Sequence, residues 1–366
     1  MKTECTKDRE YSLMRAWILE NIGRIHLTET DQPKPREKEV LIKVQAAGIC
    51  GSDLPRIYET GAHQMPLIPG HEFSGTVAAA GSPSGKRWLG KRVGVFPLIP
   101  CGQCMCCRDK KYEMCSNYSY LGSRQDGGFA EYAAVPEWNL IELPDAVSFE
   151  EAAMLEPLSV AVHALRRMHV RREETIIVYG LGTIGMMLVS LLLGQGMEKL
   201  FVVGNKDIQR TKALALGIPE ENYCDSKNGQ AVDWCISRTG QRGADVVFEC
   251  VGKSETCSDA IGLAAPGGRI CLVGNPSADM HLDKQVYWKI LRRQMQLCGT
   301  WNSSFAGAGS EEEAADDWHY ALDCIAEGQV RLEALITHRF SLEELDLGLE
   351  IMRDKTEEYI KVMCVS

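Results

Sequence analysis

The chain has 366 residues, more than the roughly 250 to 300 at which a single hydrophobic core stops growing, so two domains are expected. With 45% hydrophobic and 25% charged residues, its composition is that of a soluble globular protein and excludes a long disordered tract. The formal net charge of -10 is interspersed along the chain, which leaves no broad basic face for nucleic acid or an anionic membrane and makes a small molecule the expected partner.

The first residues are charged and no apolar run follows them, and the longest apolar stretch, residues 186–193, is too short to span a bilayer. A cytoplasmic protein without signal or anchor is expected. The fifteen cysteines fit that reading, since an odd count without an export signal belongs in a reducing compartment.

After a short extension at residues 1–13, the first half reads as β-rich. Runs at 39–46, 73–79 and 91–97 are alternating or apolar and are separated by Gly and Pro, which suits strands joined by tight turns. Three short motifs stand out: Cys50 in Gly48-Ile-Cys-Gly-Ser-Asp53, His71 and Glu72 in Gly70-His-Glu-Phe-Ser-Gly75, and Glu156 in Leu155-Glu-Pro157. Singly each is weak, because a lone buried cysteine is usually a small hydrophobe. Brought together, a thiolate, an imidazole and carboxylates make an incomplete zinc shell with room for water or a substrate alcohol. A zinc lowers the pKa of bound water from 15.7 to about 7, and the same effect on an alcohol lets a hydride leave its carbon near neutral pH. Ser52 is placed to take the alcohol proton, and Asp53 to hold a ligand or the loop by hydrogen bonding.

Between these motifs, Cys101-x2-Cys104-x2-Cys107-x7-Cys115 supplies four thiolates on one loop, the soft tetrahedral set that a structural zinc takes. Cys106 is left over. A closed site of four thiolates has no open position for substrate, so it stabilises the lobe and takes no part in the chemistry.

From residue 174 the pattern becomes strand, glycine turn, helix. A strand at 175–179 leads into Gly180-Leu-Gly-Thr-Ile-Gly185, then a helix to about 195 and a strand at 199–203. Helices near 208–216 and 255–265 alternate with strands at 245–250 and 269–273, which predicts a parallel, doubly wound sheet. In that context Gly180, Gly182, Thr183, Ile184 and Gly185 form a dinucleotide turn: a tight bend, close approach of the pyrophosphate, and a helix N-terminus toward phosphate. The position about twenty residues on, which normally holds an acid for the adenosine ribose, reads Gly204-Asn205-Lys206. Without that carboxylate, Lys206 and Arg210 can pair with a 2′-phosphate, tilting the choice toward NADP(H) and leaving NAD(H) open. Beyond residue 301 the alternation stops. Helices at 311–327 and 342–354 precede an apolar run at 359–365, which needs a sheet to pair with and is expected to return to the first domain.

These motifs, with Gly127-Gly-Phe-Ala-Glu-Tyr132 and Gly243-Ala-Asp-Val-Val-Phe-Glu-Cys-Val-Gly252, resemble the zinc-containing medium-chain alcohol and polyol dehydrogenases over essentially the whole chain from about Met14. Within that family the likeness runs to the galactitol-1-phosphate and sorbitol dehydrogenases, through Gly51-Ser-Asp-Leu-Pro-Arg-Ile57, Gly61-Ala-His63, Gly122-Ser-Arg124, Asp126-Gly-Gly-Phe129 and Lys289-Ile-Leu-Arg292. The resemblance implies an α/β protein with a GroES-like catalytic domain at 1–163 and 303–366, a Rossmann domain at 164–302, and a homodimer or homotetramer. It implies two zinc ions per chain, with Cys50, His71, Glu156 and either Glu72 or a water around the catalytic one. Two departures stand out: Pro55 replaces a histidine that extends the proton relay in ethanol-type members, and Gly204 stands where polyol relatives usually carry Asp. Arg56, Arg124, Arg292 and Arg293 are the cations that a substrate phosphate would call on. Two other readings are weighed against a polyol dehydrogenase: an enzyme for a bulky hydrophobic alcohol such as a steroid, and a non-catalytic dinucleotide sensor or structural protein.

Overall fold

The computed structural model describes residues 12–228, 231–310 and 316–366. In the second half of the chain, six parallel strands line up in the order Tyr223–Asp225, Leu200–Gly204, Ile176–Tyr179, Ala244–Glu249, Ala264–Leu272 and Gln296–Gly299. The chain enters at the centre with Ile176–Tyr179, winds outward one way, then re-enters beside its starting strand and winds the other way. The reversal between Ile176–Tyr179 and Ala244–Glu249 is the switch point at which such sheets open a ligand crevice. Ile176, Ile177 and Val178 are fully buried, which is why this strand reads as an unbroken apolar run instead of an alternation. The α/β expectation of a doubly wound parallel sheet is met.

The first half forms a mixed sheet in the order Ile336–Phe340, Lys361–Val365, Glu39–Ile49, Glu72–Ala80, Arg92–Val95 and Leu140–Glu142, with Tyr132–Pro136 also pairing Glu39–Ile49. The last strand of the chain pairs antiparallel with Glu39–Ile49, setting Val362 opposite Ile49. A strand from the C-terminal end thereby reaches the residue before Cys50. Outside this sheet, Leu13–Asn21 and Arg24–Asp31 form a hairpin. The extension expected at residues 1–13 lies, up to residue 11, outside the described residues, and the first strand already runs at Leu13.

Most strands fall within two or three residues of expectation; Ala264–Leu272 starts five residues earlier than the predicted 269. The predicted helix at 311–327 begins at Asp317, where the Asp316 side chain accepts the His319 N–H at 2.8 Å and caps it; residues 311–315 lie outside the described residues. Among the described residues, no helix is long and apolar enough to cross a membrane.

One core cluster joins both halves. Phe96 packs on Phe305 with ring centroids 4.8 Å apart, and Phe305 in turn lies 5.9 Å from Trp318. Beside it, buried Asp317 ties its helix to the helix Leu155–Met168, receiving His163 at 2.7 Å, Arg166 at 3.1 Å and the Ser304 amide at 2.8 Å. Burial alone would raise this carboxyl, but the hydrogen bonds from His163 and Ser304 hold it below its ordinary value. A depressed folded pKa contributes stability above the unfolded value, about 3.9, which is lost as pH falls through the folded one. Asp317→Asn is therefore expected to cost about 2–3 kcal/mol at neutral pH in urea denaturation, with the gap to the parent closing below about pH 4. A gap that persists there would show that the loss is one of packing.

Candidate active site

At the end of Glu39–Ile49 the chain turns through Cys50 into the helix Asp53–Tyr58, and Glu72 opens the neighbouring strand. Because those strands pair with Gly48 opposite Glu72, Cys50 and His71 emerge side by side. Candidate ligand atoms of Cys50, His71 and Glu72 lie within 4.8 Å of one another, a donor set of sulfur, nitrogen and oxygen that suits zinc. Asp53 is buried behind them. Its Oδ2 accepts the Cys50 N–H at 3.0 Å and its Oδ1 stands 3.2 Å from His71 Nδ1, without the alignment of a full hydrogen bond. That contact leaves the other ring nitrogen for a metal. Burial pushes the Asp53 carboxyl up, but His71, Arg56 and the Cys50 N–H together hold the group below its usual range.

Two further residues complete this corner. Buried Lys361, on the returning strand, pairs with Glu72 and donates to the Ile49 carbonyl at 3.1 Å. Burial would lower its pKa, but Glu72 raises it, so the ammonium persists. Glu156 stands outside the three-residue group and accepts the Tyr120 hydroxyl at 3.1 Å; burial raises its carboxyl, opposed by His71. The Ser52 hydroxyl lies 3.3 Å from Cys50 Sγ.

The four-cysteine loop is a separate place. Its sulfurs are within 4.8 Å of one another, with Cys104 3.5 Å from Cys107, Cys104 3.8 Å from Cys115 and Cys101 4.0 Å from Cys107. Four thiolates at 2.3 Å around a tetrahedral zinc would be about 3.8 Å apart, so these positions fit the ion. Backbone hydrogen bonds from Cys107 and Ser116 lower the Cys104 pKa and favour the thiolate form that binds metal. The strands Leu98–Ile99 and Ser119–Tyr120 pair across the base of the loop.

The glycine turn follows Ile176–Tyr179 and opens the helix Thr183–Gly194. A Cβ at Gly185 would stand 1.9 Å from the Gly180 carbonyl, so only glycine lets the helix start this close to the turn. Thr183 Oγ1 donates to the Ile360 carbonyl at 2.6 Å, fixing the turn to the strand that carries Lys361. A cavity of about 750 Å³ is lined from one side by Cys50, His71 and Glu72 and from the other by Gly182, Thr183 and Ile184.

The remaining predicted residues divide. Ser52 and Glu156 line that cavity, whereas Asn205, Lys206 and Arg210 lie outside it, at the end of the second strand. Lys206 Nζ sits 5.1 Å from the Tyr359 ring, and Arg210 is already paired with Glu220. A Cβ at Gly204 would meet the Tyr223 hydroxyl at 2.6 Å and Gln209 Oε1 at 2.9 Å, so an acidic side chain has no room there unless both move. Of the four arginines, Arg56 and Arg124 line the cavity; Arg292 lies 4.6 Å over Trp288 and Arg293 donates to the Ala264 carbonyl. Sequence reasoning missed Lys361 and Tyr120, whose partners are 289 and 36 residues away and leave no local signal.

A metal corner and a dinucleotide turn opening into one crevice define a metal- and dinucleotide-dependent oxidoreductase. The family model for the alcohol dehydrogenase GroES-like domain matches residues 36–145, and that for zinc-binding dehydrogenase matches residues 183–331. The chain belongs to the zinc-binding alcohol dehydrogenase family. It is 33% identical to galactitol 1-phosphate 5-dehydrogenase of Escherichia coli (strain K12), covering 90% of this chain and 94% of that protein. It is 29% identical to sorbitol dehydrogenase of Bacillus subtilis (strain 168), over 96% of each. A structure from Sinorhizobium meliloti 1021, assigned as a zinc-binding dehydrogenase and bound to NADP, superposes with a TM-score of 0.87 at 28% identity, covering 97% of this chain and 100% of that one.

Proposed function

We propose that this protein transfers a hydride between a nicotinamide dinucleotide and a secondary alcohol of a polyol or polyol phosphate, interconverting it with the ketone. The observation that carries this reading is the single cavity shared by Cys50, His71 and Glu72 with Gly182, Thr183 and Ile184. The similarity to galactitol 1-phosphate 5-dehydrogenase and sorbitol dehydrogenase supports a polyol as substrate. Neither the steroid reading nor the non-catalytic one has an observation in its favour.

In this reading Cys50, His71 and Glu156 hold a catalytic zinc, with Glu72 or a water completing the shell, and Cys101, Cys104, Cys107 and Cys115 hold a structural one. The catalytic ion would supply Lewis acidity toward the substrate oxygen. Asp53 sets the His71 ring, Lys361 restrains Glu72, and Tyr120 restrains Glu156. Ser52 Oγ, 3.3 Å from Cys50 Sγ, receives the alcohol proton, which then passes to water or ribose, since Pro55 offers no relay. Gly180, Gly182, Thr183, Ile184 and Gly185 seat the pyrophosphate. Asn205, Lys206 and Arg210 border the adenosine ribose, and Lys206 with the absence of an acid at Gly204 favours NADP(H). Lys206→Glu is expected to shift the ratio of kcat/KM for NADP over NAD toward NAD by about tenfold; an unchanged ratio would remove Lys206 from cofactor selection.

The division into 1–163 with 303–366 and 164–302 is supported by the pairing of Lys361–Val365 with Glu39–Ile49. A homodimer or homotetramer is supported by the edge strand Gln296–Gly299, which ends the six-strand order beside exposed Trp288, Leu291 and Leu297. A cytoplasmic location is supported by the cysteines, every one of which among the described residues is free. The test of function is a screen of polyols, polyol phosphates and hydrophobic secondary alcohols with NAD and NADP separately. Turnover of a polyol or its phosphate is expected; turnover of the hydrophobic alcohols alone would overturn the substrate class.

A further inference from the structure

The cavity that holds the metal corner also carries a cationic patch. Arg56, His63 and Arg124 all line it, together with Cys50 and His71. Of the three, Arg124 is the one with a buried polar atom left unpaired. Its Nη1 donates to the Tyr118 carbonyl at 2.9 Å, its Nη2 meets His63 Nε2 at 3.2 Å, and its plane lies 4.4 Å over the Tyr118 ring. Its Nε is buried and has no hydrogen-bond partner. No carboxylate among the described residues comes within ion-pair distance of it. A buried guanidinium donor without an acceptor carries a desolvation cost that a bound acceptor would relieve.

The neighbours point the same way. Arg56 reaches the cavity from the helix Asp53–Tyr58, and its one carboxylate contact among the described residues, Asp53 at 3.4 Å, is shared with His71. The imidazole of His63 is held below its ordinary value, first by burial and then by the guanidiniums of Arg124 and Arg56, as expected where cations crowd together without enough counter-charge. The backbone fixes this cluster, for the His63 amide donates to the Ser123 carbonyl at 3.2 Å.

We infer that Arg124, Arg56 and His63 form a subsite for the phosphate monoester of a polyol phosphate, holding the end of the substrate remote from the carbon that is oxidised. The inference rests on the polyol dehydrogenase reading above and narrows its substrate class. A phosphate dianion presents three oxygens to donors from three directions, and guanidinium forks match that geometry. A carboxylate offers only two oxygens and half the charge. An uncharged polyol hydroxyl can accept from Arg124 Nε but brings no charge to offset the two guanidiniums.

The zinc-loaded protein is assayed with galactitol 1-phosphate and with galactitol, at saturating cofactor, for the parent, Arg124→Gln, Arg124→Lys and Arg56→Gln. The parent is expected to favour the phosphorylated substrate by on the order of 100-fold in kcat/KM. In Arg124→Gln that ratio falls by about 10- to 100-fold, mainly through KM, with partial recovery in Arg124→Lys, which restores the charge but not the fork. Arg56→Gln, on a different element, moves the ratio in the same direction and decides the matter if Arg124→Gln fails to fold. A parent without preference for the phosphate, or variants that lose both substrates in parallel, overturns the subsite. If the parent oxidises neither compound, galactitol is not the polyol it acts on and this ratio is not readable. Calorimetric titration with inorganic phosphate then decides the subsite: affinity weakened at least about tenfold in Arg124→Gln supports it, and equal affinity overturns it.

Discussion

Cys50→Ser is expected to lower kcat/KM for the alcohol by on the order of 10³-fold or more, while circular dichroism and the thermal transition stay close to those of the parent. The size follows from what the ligand does. A hard hydroxyl in place of the thiolate weakens a site in which sulfur, imidazole and carboxylate converge within 4.8 Å, and without the ion the negative charge that builds on the substrate oxygen loses its Lewis acid, the Lys361 ammonium being taken up by Glu72 and the Ile49 carbonyl. The fold is little affected, because Cys50 lines the cavity and the sheets behind it are held by their own ladders and core. Metal analysis should give one zinc per chain instead of two. A variant with parental turnover and one zinc would remove Cys50 from the chemistry.

The second large effect is the reverse of the first. Cys104→Ser is expected to remove the other zinc, lower the thermal midpoint by about 10 °C, and leave the residual enzyme active at low temperature. The loop between Leu98–Ile99 and Ser119–Tyr120 gathers its four sulfurs within 4.8 Å of one another, so a metal held there cross-links it. The consequence reaches the cavity indirectly, since Tyr118, Tyr120 and Arg124 follow the loop directly in sequence. Activity lost in step with zinc at low temperature, with no change in midpoint, would make this ion catalytic.

How far the sequence could be read depended on the distance over which each feature is encoded. The four-cysteine loop and the glycine turn are local: their spacing dictates a tetrahedral cage in one case and a strand-to-helix bend in the other, and both lie where they were expected. Cys50, His71 and Glu72 were recognisable from their motifs and their donor chemistry, and the pairing of Gly48 with Glu72 is what brings them together. Glu156 was recognisable only through its motif, and the structure sets it apart from the other three, on Tyr120. Lys361 could not have been found, because its role depends on a C-terminal strand entering the first sheet in one register, a contact across 289 residues.

Elements with mixed burial were missed for a related reason. The strand Gln296–Gly299 is mostly exposed, so it shows neither an apolar run nor an alternation. In the helix Lys284–Arg292 no residue is buried, and Tyr287, Trp288 and Leu291 lie on the surface, where a sequence pattern does not distinguish a future interface from an ordinary helix face. Two basic residues were expected to meet the cofactor's adenosine ribose. Arg210 is taken up by Glu220, leaving Lys206 as the main support for NADP(H).

The central claim is that the metal corner and the dinucleotide turn serve one hydride transfer in one cavity. It is tested most directly by incubating the zinc-loaded protein with a polyol phosphate deuterated at the carbinol carbon and following the label into the nicotinamide ring by mass spectrometry. The account predicts deuterium on the reduced cofactor, abolished by chelation and restored by adding zinc. Oxidation of the polyol without deuterium on the nicotinamide, or transfer that persists at full rate in chelated protein shown to be free of metal, would contradict it.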